Sequence, residues 1–361
     1  MARHLEKIRN LIEELSLDGL LIKSKTSKKY LNTLTGSGVQ ILITRDNSYA
    51  ILDGRYLSEA RERTDELIIV ENTPAKSNKS HFDIVSEIFK EFNYSKLGIE
   101  ASSYSISDYE KLKKYDFSVT LVNDEINEVR IIKDDFEVDI LKEACKITDE
   151  VFTDVLKHIK VGISENEINA LIHYYALKAG ASKLSFEPVV TSGPRTALPH
   201  GRPTERKVKA NEPIMIDFGI EYKNYQSDMT RMVFVGKPSE ELIVIYNVVK
   251  KAQQAGVGAI KAGALASEVD FIVRDIIEKA GYGENYNHGL GHGIGIGDGC
   301  EYPFLNQSSK TILKDNMIMS CEPGIYVEGL GGVRIEDDVL ISGGRGIPLN
   351  QTTKDMIILE V

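Results

Sequence analysis

Ile214-Met215-Ile216-Asp217-Phe218-Gly219-Ile220-Glu221-Tyr222-Lys223-Asn224 runs on into Tyr225 through Val235, and this stretch decides the fold of the second half of the chain. Its flanks are rich in β-branched and aromatic residues and its middle is polar, so it reads as a hairpin. With the turn centred between Tyr222 and Lys223, Asp217 faces Asp228 directly. Cross-strand partners have Cβ atoms about 4.5–5.5 Å apart. Two carboxylates held that close repel by roughly a few kcal/mol at an intermediate dielectric. Such a pair calls for a cation or a shared proton.

A second hairpin follows the same logic. Met317-Ile318-Met319-Ser320-Cys321-Glu322 leads into Gly324-Ile325-Tyr326-Val327, turns through Glu328-Gly329-Leu330-Gly331-Gly332, and returns as Val333-Arg334-Ile335-Glu336. Reflection about Gly329 sets Glu322 opposite Glu336. Between the hairpins lies His288-Gly289-Leu290-Gly291-His292-Gly293-Ile294-Gly295. Its alternating glycines let the backbone come close to a bulky or charged group. The spacing matches neither phosphate-binding fingerprint, and no Gly-Lys-Ser/Thr follows. Asp217-Phe218-Gly219 mimics a kinase metal-binding triplet, but the chain has no His-Arg-Asp catalytic loop. Asp217, Asp228, His292, Glu322 and Glu336 together balance two divalent cations in charge. This oxygen-rich set suits manganese first, with cobalt, iron or zinc as alternatives. Paired ions lower the pKa of a bridging water and grip the carbonyl oxygen under attack. The chemistry indicated is metal-assisted hydrolysis. Any one of these residues alone would read as a solvated turn acid or a packed histidine; five in such contexts do not.

Around the hairpins the pattern turns helical. From Asp135 apolar residues recur at Phe136, Ile140, Ala144, Ile147, Val151 and Val155. Ser164-Glu165-Asn166-Glu167 is a capping box, with Gly180 as the stop of its helix. Ser239 and Ser267 read as further N-caps and Gly281 as a further stop. Helices packed on a largely antiparallel sheet place the second half in the α+β class. The first half is mixed α/β: an amphipathic helix ends at Asp18-Gly19, a strand follows at Leu20-Leu21-Ile22, then a hairpin of Val39–Thr44 and Tyr49–Leu52, then a helix from His81 to Phe92. His4 and His81 have no cluster of acids around them and read as surface or packed histidines. A polar, charged stretch over Asp124–Lys133 sets the domains at 1–126 and 127–361.

A chain of 361 residues is long enough for two cores. Its net charge of −10 offers no basic stripe to nucleic acid. The charged N-terminus is not a signal peptide, and no apolar run spans a bilayer. Cys145, Cys300 and Cys321 are odd in number and far apart, which fits a reducing cytoplasm rather than a disulfide framework.

Asp217-Phe218-Gly219, Ser227-Asp228-Met229-Thr230-Arg231, Gly291-His292-Gly293-Ile294-Gly295, Glu322-Pro323-Gly324-Ile325-Tyr326 and Gly332-Val333-Arg334-Ile335-Glu336-Asp337 resemble the signature segments of the pita-bread metallopeptidases. Within them the match is to the Xaa-Pro aminopeptidases and Xaa-Pro dipeptidases (prolidases). Tyr30-Leu31 and Asp53-Gly54-Arg55-Tyr56 resemble the creatinase-like N-terminal domain of that family. The resemblance implies a homodimer in which this domain covers the neighbouring active site and restricts substrate length. It implies that Asp217 binds one metal, that Asp228 and Glu336 bridge two, and that His292 and Glu322 complete the shell of the second. Glu322 would also take the proton from the attacking water. His200, in Leu198-Pro199-His200-Gly201, would contact substrate and carry protons, and His288 would stand near the proline end or else serve the glycine loop structurally. The implied substrate is a short proline-containing peptide cut at its N-terminal Xaa-Pro bond, with the dipeptide as the alternative. The bond before proline suits such a site, because its leaving nitrogen has no hydrogen and must gain one as the intermediate collapses.

One segment departs from the family. A histidine is expected seven residues after His292, and Gly299 stands there. With one inserted residue Cys300-Glu301-Tyr302-Pro303 aligns, and Cys300 replaces the histidine. A thiol is a weak donor. Slow turnover, an unusual substrate, or a non-catalytic peptide- or protein-binding relative are the readings this substitution opens.

Overall fold

The computed structural model describes residues 2–63, 66–73, 78–297 and 300–361. They divide into two compact units, one ending at Arg130 and one beginning at Ile131. No helix among the described residues is long and apolar enough to cross a membrane.

In the first unit Val39–Thr44 and Ser48–Leu52 form the expected hairpin, with Ile43 opposite Ser48. The sheet has six strands in the order Ile68–Glu71, Ser48–Leu52, Val39–Thr44, Gly19–Ile22, Lys96–Glu100 and Ser118–Val122. It is mixed: Gly19–Ile22 runs antiparallel to Val39–Thr44 and parallel to Lys96–Glu100. Successive side chains point to opposite faces. Leu20 and Ile22 therefore pack with Ile8 and Ile12 of the Ala2–Glu14 helix, and Leu21 with Val85 and Phe89 of the His81–Glu91 helix. Covering both faces explains why these strands are apolar runs rather than alternating ones. His4 is buried and stacked on Tyr30, with Nδ1 2.5 Å from the Tyr30 carbonyl oxygen.

In the second unit every ladder among the described strands is antiparallel except that of Met229–Val235 with Ile357–Leu359. The helices start where their caps place them. Asp134 caps Asp135–Leu156, the Ser164–Glu167 box opens Glu165–Lys178, and the Ser239 side chain accepts the Leu242 N–H at the head of Glu240–Ala259. Gly180 and Gly281 follow their helices at φ +94° and +88°. Ser267 is the exception. Ala266–Lys279 is capped by Leu265, and Ser267 lies inside its first turn. A bridge between Leu265 and Ile312 fixes that start, so a long-range pairing overrides the local side chain.

The hairpin that decides the fold turns one residue later than its sequence suggests. Tyr222 pairs with Tyr225, and the turn residues are Lys223 and Asn224, at φ +48° and +73°. Two consecutive left-handed residues make the tight turn whose twist matches antiparallel strands. Asp217 consequently pairs with Thr230, not Asp228. The pairing has moved by two residues, which keeps side-chain parity, so Asp228 stays on the Asp217 face as its diagonal neighbour. Ile214, Ile216, Phe218, Val233 and Val235 pack on one core; Met215, Met232 and Phe234 pack on the other. The acids share parity with that second group. The second hairpin keeps the expected register. Gly324 pairs with Arg334 and Cys321 with Asp337, so Glu322 and Glu336 fall at the break between two ladders of one register.

Candidate metal centre

Asp217, Asp228, His292, Glu322 and Glu336 all line one cavity of about 480 Å³, and His200, His288 and Cys300 line it with them. One oxygen each of Asp217, Asp228 and Glu336 lies within 4.8 Å of the others. The His292 Nε2 atom is 3.5 Å from Glu322 Oε1 and 3.7 Å from Asp228 Oδ2. The Asp228 carboxylate thus belongs to both groupings.

The sequence builds each position locally. Gly219 lets the hairpin kink beside the acids: a Cβ there would stand 1.7 Å from the Ser227 carbonyl oxygen. A Cβ on Gly291 or Gly293 would likewise stand only 2.2 Å from the Ser320 carbonyl oxygen or 1.9 Å from that of Tyr302, so the His292 strand lies close on its neighbours. Ser320 fixes both of its neighbours in the site. Its Oγ accepts the His292 N–H at 3.0 Å and donates to Glu322 Oε1 at 3.0 Å.

In Asp217 and Glu336 one oxygen is held and the other is left. Arg334 Nη2 donates to Asp217 Oδ2 at 2.5 Å, and Thr230 Oγ1 donates to Glu336 Oε2 at 2.6 Å. Asp217 Oδ1, Asp228 Oδ1 and Glu336 Oε1 are buried without a hydrogen-bond partner. Such orphaned oxygens are costly unless a cation meets them. Burial, and after it the neighbouring acids, push Asp228 and Glu336 well above the usual carboxylate range. Asp217 is also raised by burial, with Arg334 opposing the rise. Burial would lower His292, but the Cys300 thiol and Glu322 beside it bring it up to about 10. The set is electrostatically incomplete as protein alone. Its donors, oxygens with one imidazole, fit hard to borderline divalent cations.

Three residues not singled out from sequence hold this arrangement. Arg334 is buried and also donates to Tyr326 Oη at 2.8 Å, to Thr230 Oγ1 at 3.0 Å and to the Pro199 carbonyl at 3.1 Å. It thereby ties the loop carrying His200 to Asp217. Thr230 and Tyr326 complete that network. Strand parity was the available signal, since Arg334 lies two residues from Glu336 and Thr230 two from Asp228. Behind Asp228, Asp338 accepts its backbone N–H at 2.9 Å. His288 is held through both ring nitrogens, Nδ1 2.7 Å from the Gly289 carbonyl and Nε2 2.9 Å from Tyr326 Oη. Burial lowers its pKa, which keeps it neutral. His200 is exposed at the cavity. Gly299 lies outside the described residues; Cys300 is exposed and lines the cavity together with His292.

Fold and site together define a metallopeptidase. Residues 139–343 match metallopeptidase family M24, and residues 4–132 match the creatinase/prolidase N-terminal domain. The chain is 35% identical to an Xaa-Pro dipeptidase of Pyrococcus furiosus over 359 residues, 99% of this chain and 100% of that one. Among solved structures it is similar to an Xaa-Pro dipeptidase from Bacillus anthracis (TM-score 0.93, 37% identity, 99% of each chain). It is also similar to an X-Pro aminopeptidase from Thermotoga maritima (TM-score 0.88, 32% identity, 96% of this chain and 99% of that one). The chain belongs to metallopeptidase family M24, and its second unit has the pita-bread fold.

Proposed function

We propose that this chain is a dinuclear metal-dependent exopeptidase that cleaves the Xaa-Pro bond at the N-terminus of short peptides. The observation that carries the reading is the orphaned oxygen on each of Asp217, Asp228 and Glu336, beside a His292–Glu322 pair that shares Asp228. Asp217, Asp228 and Glu336 would hold one ion, and Asp228, Glu336, His292 and Glu322 the other, with manganese expected first. Two bound cations would lower the pKa of a water between them and polarise the scissile carbonyl. Glu322, oriented through Oε1 by Ser320, takes the proton from the attacking water and can pass it to the proline nitrogen. Neutral His288, fixed by Tyr326, orients the proline side of the substrate, and exposed His200 contacts the carbonyl side. Arg334 keeps Asp217 and the His200 loop in register with each other.

Longer peptides are the first reading and dipeptides the alternative. The dipeptide reading gains from the Pyrococcus and Bacillus anthracis relatives named as Xaa-Pro dipeptidases. It also gains from exposed Arg202 at the cavity, able to pair with a free carboxylate after proline. Hydrolysis of Xaa-Pro against Xaa-Pro-Yaa, with and without added manganese, tests both. Turnover of neither substrate by the metal-loaded protein refutes the enzyme reading and leaves a binding role. A homodimer belongs to the same reading, and light scattering checks it.

A further inference from the structure

We propose that Cys300 supplies a thiolate to the metal shell beside His292, so that this chain's centre is a mixed oxygen, nitrogen and sulfur site. The proposal rests on the metal-centre reading above and concerns a residue in which this chain departs from its family. Cys300 is exposed and lines the cavity that holds the five candidate ligands, whereas Cys145 and Cys321 are buried and do not line it. Cys300 shares that cavity wall with His292, and its side chain is among the groups that raise the His292 pKa. In that ring Nδ1 faces the Gly293 carbonyl at 3.1 Å, while Nε2 stands 3.5 Å from Glu322 Oε1 and 3.7 Å from Asp228 Oδ2. Donors that share one ion at bond lengths of about 2.0–2.3 Å lie about 3–3.6 Å from one another. The imidazole stands at nearly that spacing from both carboxylates, and the Cys300 thiol, on the wall of the same cavity, is the further donor that would join them.

An independent observation points to the ion itself. Asp228 Oδ1 and Glu336 Oε1 are orphaned in the same cavity, on residues only 8% and 1% exposed. Binding a cation there would release the thiol proton to solvent as the metal–sulfur bond forms, with no change of oxidation state. A soft thiolate moves the preference of an oxygen-rich site from manganese towards zinc, cobalt and cadmium.

Cobalt(II) added to chelator-stripped protein tests this. A bound thiolate gives a sulfur-to-cobalt charge-transfer band in the near ultraviolet, which carboxylate and imidazole donors do not give. The band should appear in the wild type and be lost in Cys300→Ser, and in Cys300→Ala should the serine variant misfold, with cobalt stoichiometry by elemental analysis unchanged. Alkylation of Cys300 by iodoacetamide, read by mass spectrometry, should be blocked by bound cobalt and restored by chelation. Bound cobalt without the band, a band that survives both variants, or alkylation indifferent to cobalt would overturn the proposal. Failure of the wild type to bind cobalt at all would instead bring down the metal centre itself, and the thiolate with it.

Discussion

Asp228→Asn should stabilise the protein without metal and destabilise it with metal. The oxygens of Asp217, Asp228 and Glu336 lie within 4.8 Å of one another. At that separation two ionised carboxylates repel by roughly 3–4 kcal/mol at an effective dielectric of about 20. The protein relieves part of this by keeping protons, since burial and the neighbouring acids hold Asp228 and Glu336 well above their usual range. What remains for asparagine to remove is on the order of 1–3 kcal/mol. Asparagine keeps the side-chain volume, so no cavity opens, and its amide can donate where Oδ1 had no partner. For a unit of this size each kcal/mol moves the midpoint by about 2–4 °C. In chelator the variant should therefore melt several degrees above the wild type. With manganese at about 100 times its Kd the wild type gains about 2.7 kcal/mol, and the variant, having lost the carboxylate common to both groupings, gains little. The two orders of stability should cross. Calorimetry is the suitable assay, because the chain contains no tryptophan. A variant less stable in chelator would make Asp228 an ordinary structural acid. A full manganese response in the variant would remove it from the metal site.

The raised carboxyls also set a pH dependence. Their native pKa values exceed the unfolded ones, so the metal-free protein holds extra protons, and that stability is full below the ordinary carboxylate pKa and lost as pH rises through the raised values. Manganese affinity should rise over the same window, with proton release detectable by calorimetry in buffers of different ionisation enthalpy. Thr230→Val should cost about 2–4 kcal/mol, because it leaves Glu336 Oε2 and Arg334 Nε facing a methyl group, and Thr230→Ser should restore most of it; denaturation in chelator reads both. Gly219→Ala should cost about 3 kcal/mol and weaken metal binding, since its Cβ would meet the Ser227 carbonyl at 1.7 Å and the kink beside Asp228 must open. Glu322→Gln should lower turnover by about 10²–10⁴ on Xaa-Pro substrates assayed with manganese.

The acids' common face is legible in the sequence because strand periodicity is two and tolerates a particular kind of error. Centring the first turn on Tyr222-Lys223 rather than Lys223-Asn224 shifts the pairing by two residues, which exchanges a direct pair for a diagonal one but leaves Asp217 and Asp228 on the same face. An odd shift would have sent one of them into the apolar core around Ile216 and Phe218. The turn is hard to place because a lysine at φ +48° carries no local signal; only Asn224 advertises a left-handed position. Ser267 misleads for a related reason, since the pairing that starts its helix comes from Ile312. The bonds from Arg334 to Thr230 and to Asp217 join residues more than a hundred positions apart, and composition carries no trace of them. Parity still narrows the field. Arg334 lies two positions before Glu336 in the same register and lines the cavity with it, and a buried guanidinium beside a carboxylate cluster has to find an acid. The same spacing from Asp228 selects Thr230, which donates the bond that holds Glu336. Residues that support a site of this kind can thus be sought two positions from each ligand along the chain, and the Ser320–Glu322 spacing obeys that rule as well.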